Sequence, residues 1–355
     1  MSSEQRYFAA GSTGDGFVNM FGDYFDPDKL DRLYIIKGGP GTGKSTVMKR
    51  LAAEAERRGY DPVRILCSSD PSSLDGVLVP ELSLGIVDGT APHQRDPVYP
   101  GAVDVIFDLY PFFNVGKLRS QREEIRRLSS LSAVLRKGAE KCRRFAALAM
   151  TERLAVTDQC CDREKLSSAA ERCVSGIRGG SGAAEHRQIS AYSTDGKTVL
   201  DTYERLCASK VAVCDEHGSA YIFMNELKKR LEKAGIGFMY STDALLPKNC
   251  DAILIKGDGR YFSVTGRAES IDRKAYGKVI NMKRFVVKDR MKDVRGRLRL
   301  CERAAVTLEN EAARLTREAG RVHGRIEWIY KNAVDFDGVS RMTDELIRSV
   351  FPPVR

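Results

Sequence analysis

The feature that most constrains the fold is a glycine-rich loop near the N-terminus, which reads GGPGTGKST from Gly38 to Thr46. It fits the pattern G-x-x-x-x-G-K-[ST], whose glycines let the backbone approach an anion closely. The apolar run Leu33–Ile36 before it predicts a buried strand, and residues 47–58 after it predict a helix that ends at Gly59. A loop between a strand and a helix N-terminus directs backbone N–H groups and the helix dipole toward an anion.

The residue types of this loop predict binding of a nucleoside triphosphate together with Mg²⁺. Lys44 is placed to reach the β- and γ-phosphates, and the Ser45 hydroxyl to ligate the metal ion. The alternative is a loop that binds only stray phosphate. ATP is expected rather than GTP, because the chain has no N/T-K-x-D motif and Asn332–Asp335 lacks the lysine. The predicted cofactor-binding residues are Gly38, Gly39, Pro40, Gly41, Thr42, Gly43, Lys44, Ser45 and Thr46.

Two further acids are candidates for catalysis. Phosphoryl transfer needs an acid near Mg²⁺, and Asp88 is the first candidate because it ends the apolar run Leu84–Val87, at the ligand-binding edge of a parallel sheet. Its alternative role is to form a turn with Gly89. Asp70 follows the predicted strand Val63–Cys67; it is expected either to accept a substrate proton or orient a water, or to be a plain loop residue. No second acid follows Asp88, which argues against a fast motor-type ATPase.

Weaker candidates surround these acids. Asp75 precedes a glycine and is expected to cap a turn. Thr90 and His93 could sense the γ-phosphate or a substrate, although a loop histidine is more often a surface residue. His323 and Trp328 lie in a helical pattern and are expected to pack rather than to catalyse. The candidates for a charge-neutralising arginine are Arg95, Arg119 and Arg122.

The composition bounds the class of protein. A length of 355 residues suggests about two domains. The net charge of +10 gathers in two arginine-rich helical stretches, Lys117–Arg178 and Lys283–Arg325. These are either solvated helix faces or an anion-binding surface for nucleic acid or substrate phosphates, and their few aromatic residues disfavour a single-strand stacking platform.

Cysteine usage and hydropathy predict a cytosolic chain without a membrane partner. The nine cysteines include no C-x-x-C pair and the four histidines form no cluster, so we expect reduced thiols and no zinc site. The N-terminus lacks the apolar segment of a secretory signal. No run approaches the ~18 apolar residues of a transmembrane helix.

The second half of the sequence repeats the first after a glycine-rich linker at Gly179–Gly182. The predicted fold class is therefore α/β, with a parallel sheet flanked by helices and duplicated as two homologous halves. The first half spans residues 1–178 with a helical segment at about 115–177, and the second spans 183–355 with a helical segment at about 283–350. The parallels are Arg187–Gly196 with Arg6–Gly16, Lys210–Cys214 with the strand before the loop, Asn225–Gly235 with the helix ending at Gly59, Ser241–Asp243 with Ser68–Asp70, and Cys250–Ile255 with Leu74–Val79.

The second copy lacks the chemistry of the first. Aligning the two helices by their terminal glycines puts Ala220 opposite Lys44 and Tyr221 opposite Ser45. Asp215–Ser219 replaces the glycine loop, and its two adjacent acids are expected to repel a triphosphate. We therefore predict one nucleotide site, in the N-terminal half.

The motifs resemble those of a known family. The stretches KGGPGTGKST (Lys37–Thr46), CSSDPSSLDGV (Cys67–Val77) and GIVDGTAPH (Gly85–His93), with the tail Tyr330–Asp337, are similar to bacterial tandem-repeat P-loop ATPase-like proteins of unassigned function. Many members look as though they keep a loop in both halves, and the second loop here departs from that pattern. More distantly, the first half is similar to nucleotide and small-molecule kinases of the P-loop class. The resemblance implies nucleotide binding with hydrolysis or transfer, and it names no substrate.

These patterns leave several functions open. The favoured one is an ATP-binding P-loop NTPase with Mg-dependent hydrolysis or phosphoryl transfer, in which Lys44, Asp88 and Asp70 are the catalytic candidates and Ser45 and Asp88 hold the metal. The alternatives are a nucleotide or small-metabolite kinase, and a regulatory protein switched by ATP with little turnover. The partner is then an unidentified small molecule or protein, and nucleic acid is possible but not favoured.

Overall fold

The computed structural model describes residues 4–177, 180–215 and 217–351, with Arg273 described by its backbone alone. Over these ranges the chain forms two similar α/β halves. Each half contains a six-stranded sheet and is followed by a long helix and a shorter one. The predicted duplication is therefore confirmed at the level of the secondary-structure elements.

The first half places the glycine-rich loop where its pattern predicts. Leu33–Ile36 is the buried centre of a strand, and the helix after the loop ends before Gly59, which has a φ of +85°. The strands are β1 (Gln5–Phe8), β2 (Ala10–Thr13), β3 (Gly16–Asn19), β4 (Arg32–Lys37), β5 (Val63–Leu66), β6 (Leu74–Val79), β7 (Leu84–Asp88) and β8 (Asp104–Asp108). The helices are α1 (Phe21–Tyr24), α2 (Lys44–Arg57), α3 (Val115–Ser120) and α4 (Arg122–Gln159).

The second half repeats the order of the strands and of every helix except α3, whose place is taken by a 3-10 turn at Met282–Phe285. It follows the helix α5 (Arg163–Ser175). Its strands are β9 (Ala184–His186), β10 (Ser190–Ser193), β11 (Gly196–Val199), β12 (Ser209–Cys214), β13 (Phe238–Thr242), β14 (Cys250–Ile255), β15 (Arg260–Thr265) and β16 (Lys278–Asn281). Its helices are α6 (Thr202–Leu206), α7 (Ser219–Lys233), α8 (Lys288–Lys331) and α9 (Phe336–Val350).

The sheets are mixed, so the prediction of a parallel sheet is wrong in one respect. The strand orders are β1-β5-β6-β7-β4-β8 and, in matching positions, β9-β13-β14-β15-β12-β16. β6 runs antiparallel to both of its neighbours, and so does β14. The connections around β6, residues 67–73 and 80–83, are too short for the crossover of about a dozen residues that a parallel neighbour requires. β7, β4 and β8 remain parallel, and the loop leaves β4 between them.

The two long helices, α4 and α8, pack against each other in antiparallel orientation. Arg325 near the end of α8 donates to Glu124 near the start of α4, and Arg297 near the start of α8 pairs with Glu152. Their apolar seam includes Leu128 with Val322 at one end. None of the helices in the described ranges combines the length and apolar character that a membrane crossing needs.

The short helices at the ends of the two halves are exchanged. Leu166 of α5 lies in the apolar core of the second half, together with Phe223 of α7. Leu346 of α9 lies in the core of the first half, together with Leu51 of α2. Because α5 follows α4 and α9 follows α8 along the chain, each half is completed by the helix that follows the other half's sheet.

Of the predicted linker at 179–182, residue 179 lies outside the described ranges. The described part of the linker is hydrogen-bonded to the segment that follows α7. Gly182 donates its N–H to the carbonyl of Gly235 at 3.1 Å, and Gly237 donates to the carbonyl of Gly180 at 3.2 Å. The segment therefore lies along the turn that follows α7.

Candidate functional site

The glycine-rich loop joins the end of β4 to the start of α2. Gly41 and Gly43 have φ values of +66° and +95°, a region that L side chains rarely adopt. Gly43 is the residue before the first turn of α2, and none of the side chains in the described ranges caps this helix. The first N–H groups of α2 therefore have no side-chain acceptor at the cap, which is the arrangement that binds anions at helix N-termini.

Lys44 crosses the loop toward the end of β7. Its Nζ donates to the Gly39 carbonyl at 2.7 Å and lies 3.6 Å from Oδ2 of Asp88. Oγ of Ser45 accepts a hydrogen bond from the N–H of Leu74 at 2.9 Å. The loop, the end of β7 and the start of β6 therefore meet at one place.

Asp75 and Asp88 meet because β6 is antiparallel to β7. Gly76 lies opposite Val87 at the end of the ladder, and continuing this register by one residue places Asp75 opposite Asp88. Both are buried. Burial, and next the charge of Asp88, raise the pKa of Asp75 to about 7. From the sequence, Asp75 is expected to cap a turn or, in the kinase alternative, to lie near the acceptor pocket. A parallel β6 would not place it opposite Asp88.

His93 completes this group. Its Nε2 lies 3.7 Å from Oδ2 of Asp75, and its ring stacks on Phe21 at a centroid distance of 4.9 Å. Lys37 holds the segment in place by donating to the carbonyls of Gly89 and Arg95 at 3.0 and 2.7 Å. Ligand atoms of Asp75, Asp88 and His93 all lie within 4.8 Å of one another. The histidine side chain is 9% exposed, so the expectation of a surface residue is wrong.

The remaining predicted site residues are arranged differently. Thr90 donates both its N–H and its hydroxyl to Asp88, at 2.9 and 2.6 Å, so Asp88 does form the expected turn. Asp70 is exposed and accepts from the N–H and hydroxyl of Ser72, in a turn of its own. Arg95 donates to the Phe25 carbonyl at 2.6 Å. Of the other two arginine candidates, Arg119 is exposed on α3 and Arg122 pairs with Glu123.

The end of α8, far away in sequence, covers the loop. A Cβ added at Gly39 would lie 2.7 Å from the Tyr330 ring, and one at Gly41 would lie 2.8 Å from the Glu327 carbonyl. Burial lowers the pKa of His323 on the same helix, and the nearby charges of Arg136 and Lys44 act in the same direction. Trp328 is 68% exposed, so the prediction that it packs is wrong. No local pattern in the sequence signals this contact.

The second loop aligns differently from the prediction. Gly218, with φ +93°, stands immediately before α7 as Gly43 stands before α2. Ser219 therefore lies opposite Lys44, and Ala220 opposite Ser45. The alignment by terminal glycines is one residue out, because α7 has 15 residues and α2 has 14. The loop itself is two residues shorter, spanning 215–218 against 38–43.

An internal carboxylate takes the anion position of the second loop. Asp215 accepts hydrogen bonds from the N–H groups of His217, Gly218 and Ser219, at 3.0, 2.6 and 3.1 Å. It also accepts from the Ser219 hydroxyl at 3.0 Å. Glu216, the other acid of the predicted repulsion, lies outside the described residues. The second loop thus binds an anion that belongs to the chain itself.

The second half places a cation, Lys197, beside its buried acids Asp243 and Asp251. By strand register Asp251 matches Asp75, and Val264 takes the place of Asp88. Nζ of Lys197 donates to Asp243 at 2.6 Å. Burial raises the pKa of the neighbouring Asp251 to about 6, although Lys197 acts to lower it.

The register of β13 also corrects a predicted parallel. Thr242 pairs with Cys250 as Leu66 pairs with Leu74, so Asp243 matches Cys67. The prediction that Ser241–Asp243 aligns with Ser68–Asp70 is therefore wrong. In the first half, Cys67 lies beside Asp75 and burial raises the pKa of its thiol to about 12.

Comparison with protein families, with curated proteins and with solved structures finds no match for this chain. The resemblance to tandem-repeat P-loop ATPase-like proteins thus rests on the quoted motifs alone.

Proposed function

We propose that this chain binds Mg-ATP at one site, the loop Gly38–Thr46, and uses it for ATP hydrolysis or phosphoryl transfer. The observation that carries the proposal is the contrast between the two loops. In the second half the N–H groups of Gly218 and Ser219 donate to Asp215, whereas among the described residues no side chain accepts from the first N–H groups of α2, and Lys44 lies beside them. In the second half, the turn before the helix binds an acid of the chain itself. In the first half, the N–H groups of the same turn are left for an external anion.

The residues present fit the proposed ligand. The N–H groups of the loop and the Lys44 ammonium would neutralise the phosphates, with Lys44 exchanging its present partner, the Gly39 carbonyl. The Ser45 hydroxyl accepts one hydrogen bond and retains its own proton and a lone pair. Oδ1 of Asp88 accepts two hydrogen bonds from Thr90, and its Oδ2 lies 3.6 Å from Nζ of Lys44. Mg²⁺ held by Ser45 and Asp88 would supply the charge neutralisation that phosphoryl transfer requires.

One contact favours a second candidate, the ATP-switched regulatory protein. Tyr330 and Glu327 of α8 lie against Gly39 and Gly41, so the nucleotide site adjoins the contact between the two halves. Because α8 contacts the loop directly, binding of a triphosphate to the loop would change the packing of α8 on the first half. This candidate differs from the first in having tight binding with little turnover.

No specific contact favours a kinase or a nucleic-acid-binding protein. For a kinase, the predicted acceptor-side acid Asp70 is engaged in its own turn. For nucleic-acid binding, several arginines of the long helices already pair with acids. Examples are Arg127 with Glu124, Arg314 with Glu311, and Arg325 with Glu124.

The test compares the intact chain with Lys44→Ala and with Lys49→Ala. Lys49 lies exposed on the same helix and donates to the Ser72 carbonyl, so its removal changes the charge equally without touching the loop. We expect one ATP per chain by equilibrium dialysis. Lys44→Ala should weaken binding by about tenfold or more, because a charge-assisted contact is lost, while Lys49→Ala should bind normally.

Phosphate release with Mg²⁺ and with chelator then separates the two candidates. Turnover that needs Mg²⁺ and Lys44 supports catalysis, whereas binding without turnover supports the switch. Two ATP molecules per chain, or equal binding by the intact chain and Lys44→Ala, would contradict the proposed single site.

A further inference from the structure

We infer that Asp75, Asp88 and His93 bind one first-row transition-metal dication, in preference to Mg²⁺. The ligand atoms are two carboxylate oxygens and one imidazole nitrogen. All three lie within 4.8 Å of one another, so one ion at bonding distance from each requires only a small contraction of the group.

The three side chains are positioned before any ion arrives. The register of β6 and β7 places Asp75 opposite Asp88 at the end of their antiparallel ladder. Thr90 donates two hydrogen bonds to Asp88, which hold its carboxylate in place. The His93 ring is held against Phe21, and its Nδ1 is buried without a hydrogen-bond partner among the described residues. A nine-tenths buried imidazole with an unpartnered nitrogen costs free energy unless it meets a ligand or a proton acceptor.

The charge of Asp75 and Asp88 also favours a bound dication. Two buried carboxylates lie side by side, and the one cation paired with them in the described ranges is Lys44, 3.6 Å from Asp88. Lys44 also donates to the Gly39 carbonyl at 2.7 Å, so its charge is shared with the loop. A dication would compensate the second carboxylate.

The second half gives an independent observation, because it places a cation beside the matching acid. Lys197 there donates to Asp243, and its charge acts on Asp251, the counterpart of Asp75. The residue that matches Lys197 in the first half is Phe17, since Gly16 and Gly196 hold the same place in the two hairpins. Phe17 brings no charge and instead lies 6.4 Å from the His93 ring. Where one half supplies an ammonium, the other supplies a metal-ligating imidazole.

The imidazole decides the class of metal. Mg²⁺ prefers oxygen ligands and dehydrates reluctantly, whereas imidazole nitrogen suits the transition metals. A set of two carboxylates and one histidine therefore matches Mn²⁺, Fe²⁺ or Co²⁺ better than Mg²⁺.

This inference deepens the proposed function and changes it in one respect, because the ion held by Asp88 is then a transition-metal dication in place of the Mg²⁺ named there. Only the role of the ion rests on the proposed function. Binding of the ion itself requires no nucleotide. The two can therefore fail separately: an intact metal site with no ATP binding would leave the inference standing and contradict the proposed function.

The experiment titrates the chelator-treated full chain with MnCl₂, without nucleotide, and follows free Mn²⁺ by electron paramagnetic resonance. We expect one Mn²⁺ per chain, with a ~100-fold excess of Mg²⁺ needed to displace half of it. His93→Gln and Asp75→Asn should each weaken Mn²⁺ binding by about tenfold or more, and His93→Gln should reduce the preference for Mn²⁺ over Mg²⁺. CoCl₂ on the intact chain should give a visible spectrum that changes in His93→Gln.

The matched controls are His186→Gln and Asp96→Asn, which remove a histidine and an acid outside the group. Both should bind Mn²⁺ as the intact chain does. Equal affinity for Mn²⁺ and Mg²⁺, Mn²⁺ binding that survives both His93→Gln and Asp75→Asn in folded protein, or no Mn²⁺ binding at all would each overturn the inference. Far-ultraviolet circular dichroism of each variant confirms that loss of binding is not loss of folding.

Discussion

At the scale of single residues, two charged side chains distinguish the halves. Asp215 supplies an anion to the start of α7, and Lys197 supplies a cation to the buried acids of the second half. Their counterparts in the first half are a glycine-rich loop and Phe17. The second half therefore has charges of its own at the two places where we propose that the first half binds an external ligand.

Removing the internal anion tests this account. Asp215→Ala should lower the free energy of unfolding by about 1–3 kcal/mol, because three N–H groups lose a charged acceptor. Added sulfate should recover part of that loss by occupying the same N–H groups, and should raise the stability of the variant more than that of the intact chain. Urea unfolding with and without sulfate measures both effects.

The control for Asp215→Ala is Glu345→Ala, which removes an exposed acid from the surface of α9. It should change the stability by no more than about 0.5 kcal/mol and show no specific response to sulfate. An Asp215→Ala variant as stable as the intact chain would show that the carboxylate contributes nothing at the helix end.

The buried acid Asp251 predicts a pH dependence of stability. Burial raises its pKa to about 6 in the folded chain, against 3.8 for the free side chain. A raised folded pKa means that the folded state binds the proton more tightly. This contribution to stability is therefore fully present below about pH 4 and is lost as the pH rises toward 6.

Asp251→Asn removes that contribution. The stability of the variant relative to the intact chain should rise between pH 4 and pH 7, by on the order of 3 kcal/mol, because each pH unit between the unfolded and folded pKa values contributes ~1.4 kcal/mol. Urea unfolding at several pH values measures the difference. A relative stability that stays constant with pH would mean that Asp251 titrates normally in the folded chain.

At the scale of secondary-structure elements, α4 of the antiparallel pair α4 and α8 contains two buried arginines in the described ranges, Arg143 and Arg153. Arg143 is 3% exposed, donates to Oγ1 of Thr316 at 2.7 Å and lies 5.1 Å from the Tyr192 ring centroid. It therefore joins the two long helices to the β10–β11 hairpin. Its neighbour Arg144 is exposed and pairs with Glu140 of its own helix.

The two neighbouring arginines give a matched pair of variants. Arg143→Ala should lower the free energy of unfolding by about 2–4 kcal/mol, since it leaves a cavity and unpaired polar groups. Arg144→Ala should cost no more than about 0.5 kcal/mol, as for other exposed ion pairs. Chemical denaturation of both variants provides the comparison, and equal effects would refute a special role for the buried arginine.

At the scale of the whole molecule, the exchange of α5 and α9 makes the two halves depend on each other. Leu166 of α5, which follows the first half along the chain, lies in the core of the second half. Leu346 of α9, which follows the second half, lies in the core of the first half. Neither sheet can keep its apolar face covered once the other half's helix has left. We therefore expect the chain to unfold as a single cooperative unit.

Leu166→Ala and Leu346→Ala test this coupling. Each should cost about 2–5 kcal/mol, as buried leucines do, and each should lower the same calorimetric transition. Leu300→Ala, at an exposed position on α8, should leave that transition nearly unchanged. Two separate transitions, each shifted by only one of the two core variants, would show that the halves unfold independently.

The sequence by itself predicted the parts of this protein that depend on near neighbours in the chain. The strand, loop and helix around Gly38–Thr46 follow from glycine conformation, apolar runs and helix propensity, all within about 25 residues. The duplication was also readable, because each copy keeps the same order of strands and helices. The direction of β6 could have been inferred from its short connections, and reading it as parallel concealed the pairing of Asp75 with Asp88.

The tertiary structure determines which residues that are distant in the chain lie in contact. It placed Tyr330 on the loop at Gly39, exchanged α5 and α9 between the halves, and turned Asp215 inward as the acceptor of the second loop. The physical reason is that these contacts join elements whose positions depend on how all apolar faces are buried together. A local pattern specifies that a helix has such a face, but it does not specify which sheet will cover it.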